Sequence, residues 1–108
     1  MMMEETEHLA YLLNKDLGEE TGGLVFSPGQ VDRSIIREQL AHVIARLMQE
    51  NFERLCQAMY RLDVSEKKFH ETMTELPVEQ VPLAIADLVI EREMQKVRTR
   101  MMYKRKEL

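Results

Sequence analysis

Tryptophan is absent, phenylalanine and tyrosine together make up only 6% of the chain, and cysteine occurs once. Few aromatics, and no β-branched alternating run bounded by turns, argue against a sheet. The lone Cys56 has no intrachain partner for a disulfide, which fits a reducing compartment and a cytoplasmic location. Long apolar runs are missing too. The longest, Val81 to Ile90, is interrupted by Asp87 and is too short to span a bilayer, so no transmembrane segment is expected. The stretch Met1-Met2-Met3-Glu4-Glu5 is acidic where a signal peptide is basic, and no apolar core follows it.

Chemistry-bearing motifs are equally scarce. There is no Gly-x-Ser-x-Gly, and Gly22-Gly23 lacks the Lys-Ser/Thr that completes a phosphate-cradling loop. His8, His42 and His70 are scattered without a zinc-binding spacing. Glu38 with His42, and Glu66 with His70, are four apart on helices, but the paired Glu-x-x-His pattern of di-iron bundles is absent. Cys56 sits at the edge of an apolar face, where a thiol serves as a small hydrophobe. No catalytic residue, metal or cofactor is expected, and the chain does not read as an enzyme.

What is present favours helices. With 108 residues, 44% of them hydrophobic, the chain is long enough for one domain with its own core. Glu4 to Leu17 reads as a first, short helix with Leu9, Leu12, Leu13 and Leu17 on one face and Gly18 at its end. Ser27-Pro28-Gly29-Gln30 then looks like a helix start, with Phe26 and Val31 spaced as a hydrophobic staple. From there one helix of about 35 residues, about 50 Å long, is expected to reach Leu62; the alternative is a break near Asn51 that gives two ordinary helices in a monomer. Ile36, Leu40, Val43, Ile44, Leu47, Met48, Phe52, Leu55, Met59 and Leu62 fill nearly half its circumference, a face too wide for a two-stranded coiled coil.

After a corner at Leu62–Ser65, a short helix capped by Ser65 is expected from Glu66 to about Leu76, stopped by Pro77. Pro82 suits the first turn of a final long helix, reaching about Lys104. Its first half, Leu83 to Ile90, is apolar almost all round and is expected to lie deep. The fold class is therefore all-α: a small bundle of about four helices, short, long, short and long, in a single domain over residues 1–108 with 1–3 and 105–108 frayed.

A 50 Å rod outreaches a globule of this size, whose radius of gyration is about 13 Å. Length thus argues for a homodimer in which Ile36, Leu40, Val43, Leu47, Met48, Phe52, Leu55 and Met59 form the interface. Asp87, on a seam of apolar residues, either forms a buried ion pair with Arg54 or Arg61 that fixes helix register or, near the helix start, simply reaches water. Function is read as a non-enzymatic protein–protein interaction or assembly module, with itself or another protein as partner. The competing expectation is nucleic-acid association. Residues 1–20 are acidic and residues 92–108 basic, and Lys96, Arg98, Arg100, Lys104 and Arg105 would contact the polyanion. The overall charge of −4 has the wrong sign for that partner. Met101, Met102 and Tyr103 give the same basic end an apolar side suited to a partner helix.

Overall fold

The computed structural model describes residues 5–19 and 32–106, with side chains described as far as Tyr103. Among these residues every regular element is helical. Five α-helices follow one another: α1 (Glu5–Leu17), α2 (Arg33–Glu50), α3 (Phe52–Arg61), α4 (Glu66–Glu75) and α5 (Val81–Lys106), with one 3₁₀ turn at Val78–Gln80 before α5.

The expected rod from Ser27 to Leu62 is two helices. α2 starts at Arg33, where the Asp32 carboxylate accepts the Ile35 amide at 3.0 Å and the Ser34 hydroxyl at 2.6 Å. The Ser34 hydroxyl, followed by that amide, holds the Asp32 carboxyl below the usual carboxylate range. Ser27-Pro28-Gly29-Gln30 and the Phe26–Val31 staple lie outside the described residues.

The second correction is the break at Asn51. Its backbone, at φ −159° and ψ 77°, is not helical. Its amide still donates to Leu47 O at 2.9 Å, closing α2, while its side-chain oxygen accepts the Arg54 amide at 3.1 Å, opening α3. One asparagine thus ends one helix and caps the next, the role its short polar side chain favours over a place inside a helix. The apolar stripe runs on through the break. Ile36, Leu40, Val43, Ile44, Leu47, Leu55, Met59 and Leu62 are all buried, Met48 is half-buried, and Phe52, beside the joint, is exposed.

The predicted corner after α3 is a Schellman turn. Val64 N–H donates to Met59 O and Asp63 N–H to Tyr60 O, both at 3.1 Å, and Asp63 takes the left-handed conformation at φ 60°. Val64 and Met59, the residues this turn brings together, both belong to the core. Arg92 of α5 clamps the corner through Asp63 O (3.2 Å) and Asp63 Oδ2 (3.1 Å). α4 begins as expected, with Ser65 Oγ accepting the Lys68 amide, and ends at Glu75 because Leu76, before Pro77, is extended.

α5 is the central element and packs against α1, α2, α4 and the 3₁₀ turn. Its buried line is Val81, Ile85, Ala86, Val89, Ile90, Glu93, Met94 and Val97. Leu83, Ala84 and Leu88 are only partly covered and Asp87 is exposed, so the first half of α5 is covered on one side rather than all round. α1 lays Leu9, Ala10, Leu12, Leu13 and Leu17 on the body. The described chain has a radius of gyration of 14.2 Å and a longest extent of 45 Å. A rod bent at Asn51 fits within one such body, so its length no longer requires a second chain.

Candidate functional site

Most of the residues expected at an interchain interface already have partners within the chain. Ile36, Leu40, Val43, Leu47, Leu55 and Met59 are core side chains, which leaves half-buried Met48 and exposed Phe52. They hold the fold together. The most exposed apolar side chains lie elsewhere: Tyr60 on α3, Val78 in the 3₁₀ turn and, on the last turns of α5, Met102 and Tyr103.

Burial along α5 stops at Val97. Beyond it Arg98, Thr99 and Arg100 are exposed, Met101 is half-buried, and Met102 and Tyr103 are 59% and 69% exposed. At 1.5 Å per residue the 26-residue helix is about 39 Å long, and its last described turns carry more exposed side chains than the rest of it. That end combines an apolar side with the cations of residues 98–106.

Two of the cations assigned to a polyanion are partly neutralised by this chain. Arg98 Nε lies 3.8 Å from Glu5 Oε1, and Lys96 Nζ lies 2.9 Å from Glu93 Oε1 and 3.7 Å from Asp16 Oδ2. The acidic start of the chain and its basic end therefore meet within one molecule, along the α1–α5 contact. Arg100 is exposed, and the side chains of Lys104 and Arg105 lie outside the described ones.

Asp87 does bind an arginine of the preceding helices, but the arginine is Arg37. Arg37 Nε to Asp87 Oδ1 measures 2.6 Å and the second guanidinium nitrogen reaches Oδ2 at 3.0 Å, a two-pronged pair joining α2 to α5. Both side chains are about half exposed, at 42% and 53%, so the pair sits at the surface rather than in the core. Arg54 and Arg61 instead line an open groove of about 950 Å³ with Asn51, Cys56 and Tyr60.

The buried charge in this fold is one the periodicity argument passed over. Glu93 is fully buried at the α1–α5 contact, and among the described residues its Oε2 has no hydrogen-bond partner. Burial pushes its carboxyl up to about 7, with the Lys96 ammonium pulling downward and the neighbouring Asp16 carboxylate pushing upward. Glu93 continues the buried Ala86–Val89–Ile90–Val97 line at helical spacing, but which line of α5 turns inward is set by the packing.

Among the described residues no three metal-ligating side chains cluster, and no helix is long and apolar enough to cross a membrane. No family model, no curated protein and no solved structure matches the chain.

Proposed function

We propose that the chain is a non-enzymatic helical interaction module that assembles as a homodimer in the cytoplasm, docking through the C-terminal end of α5. The observation that carries this reading is the exposure of Met102 and Tyr103 beyond Val97, where burial along α5 stops. Helical turns without tertiary contacts are marginal in water, and a partner surface would stabilise them. Charge favours a second copy as that partner. Residues 98–108 carry five cations and one anion, whereas the rest of the chain carries ten cations and eighteen anions. A basic apolar helix end thus has an acidic body of its own kind to dock on.

Light scattering tests this directly. At low salt the expected molar mass is twice the 12.8 kDa of one chain. It should fall toward one chain in about 1 M salt, where the screening length is about 3 Å, and in the double variant Met102→Glu/Tyr103→Glu. A single-chain mass at every concentration and salt would refute assembly. A low-salt gel shift that survives the double variant would favour the polyanion as the partner of the basic end instead.

A further inference from the structure

Lys96 holds two carboxylates from two helices at once, Glu93 of α5 and Asp16 of α1. With both ionised, the group carries one uncompensated negative charge, and the fully buried Glu93 Oε2 has no donor among the described residues. One proton resolves both problems. A protonated Glu93 has Asp16 as its acceptor, keeps Oε1 for Lys96, and leaves the cluster neutral. We propose that Glu93, Asp16 and Lys96 form a proton-binding latch that holds α1 on α5 when the proton is bound and loosens α1 when it leaves.

Position supports this as strongly as chemistry. α5 is the main support of α1, through Leu9, Ala10, Leu13 and Leu17, and the cluster lies between the two helices. The charged groups acting on Glu93 are Asp16 from α1 and Lys96 from α5 itself. Neighbouring charges on α5 are otherwise engaged: Glu91 with Lys68 of α4, Arg92 with Asp63 at the α3–α4 corner, and Arg98 with Glu5 of α1. α2 contributes apolar core side chains, Leu40, Val43, Ile44 and Leu47. A Glu93 carboxyl raised to about 7 would exchange its proton near neutrality.

Undocking α1 returns Glu93 to water, where it titrates near the ordinary glutamate value of 4.5. Between those two values opening releases a proton, so the opening equilibrium should rise by up to about tenfold per pH unit and then level off. Amide hydrogen exchange on the full chain, corrected for the intrinsic pH dependence of exchange, reads this. Protection of α1 relative to α2 should fall between about pH 5 and about pH 7 and stay constant above. Glu93→Gln, which mimics the protonated form, should make that ratio independent of pH. Asp16→Asn, at a half-exposed residue, removes the repelling carboxylate and should shift the transition to lower pH, which keeps the test decisive even if Glu93→Gln misfolds. A ratio that stays flat in the natural chain, or a transition that survives Glu93→Gln unchanged, overturns the latch.

Discussion

Replacing Asn51 by alanine separates two explanations of the bend between α2 and α3. The substitution removes the side-chain bond to the Arg54 amide, 3.1 Å in the structure, at a cost of about 1 kcal/mol for a lost cap. Alanine also suits a continuous helix better than asparagine does. Against straightening stands the packing of α3. Leu55, Met59 and Leu62 are all buried, and each contributes about 1.5–3 kcal/mol by leaving water. An unbent helix would carry them off the body, a loss on the order of 5 kcal/mol or more, so packing should keep the bend. Asn51→Ala is therefore expected to lower stability by about 1 kcal/mol, a drop in Tm of about 4–8 °C for a domain of this size. Helix content and molar mass should not change. Thermal unfolding by circular dichroism, with light scattering on the same sample, measures all three. A variant that is more stable and doubles its mass relative to the natural chain would show that asparagine, not packing, prevents an intermolecular rod.

Three further outcomes follow from particular side chains. Because folding raises the Glu93 carboxyl from 4.5 to about 7, its contribution is fully present below about pH 4.5 and lost as pH rises through about 7. Urea unfolding should show up to about 3 kcal/mol of that loss, and Glu93→Gln should abolish the slope. Asp63→Gly frees the left-handed corner at φ 60° of a strain of about 1 kcal/mol while losing an exposed ion pair worth about 0–1 kcal/mol. The variant should melt no lower than the parent, whereas Asp63→Val should melt clearly lower; equal destabilisation by both would refute the strain account. Asp87→Ala breaks only the surface pair with Arg37, so Tm and molar mass should stay close to the parent's, and a large fall in either would mean that the pair sets helix register after all.

Much of this architecture is legible in the sequence because its determinants are local. Leu9, Leu12, Leu13 and Leu17 mark the buried side of α1, Ser65 caps α4, and the Leu76-Pro77 step ends it. The wheel of the α2–α3 stretch also picks out the buried side well, exposed Phe52 apart. It does not reveal the bend, because Asn51 reorients the helix axis while leaving the apolar stripe continuous. An axis change is decided by what the stripe packs against, which is tertiary information. The start of α2 is ambiguous in the sequence because two capping sequences stand close together, Ser27-Pro28 and Asp32-Arg33; Asp32 caps α2. α5 hid its buried side for a related reason. With apolar residues almost all round Leu83 to Ile90, several faces could have turned inward, and the choice decides that Glu93, not Asp87, is covered. Spacing cannot show that an acid from α1 and a lysine from α5 share one carboxylate's surroundings.

The break at Asn51 lets one chain shelter most of the α2–α3 apolar face, and the proposed assembly uses the end of α5 instead. Small-angle X-ray scattering on the full-length Met102→Glu/Tyr103→Glu variant tests it most directly. The account predicts the mass of one 12.8 kDa chain and a radius of gyration close to 14.2 Å. A doubled mass, with a particle much longer than the 45 Å extent of the single chain, would place the α2–α3 face between two chains and contradict it.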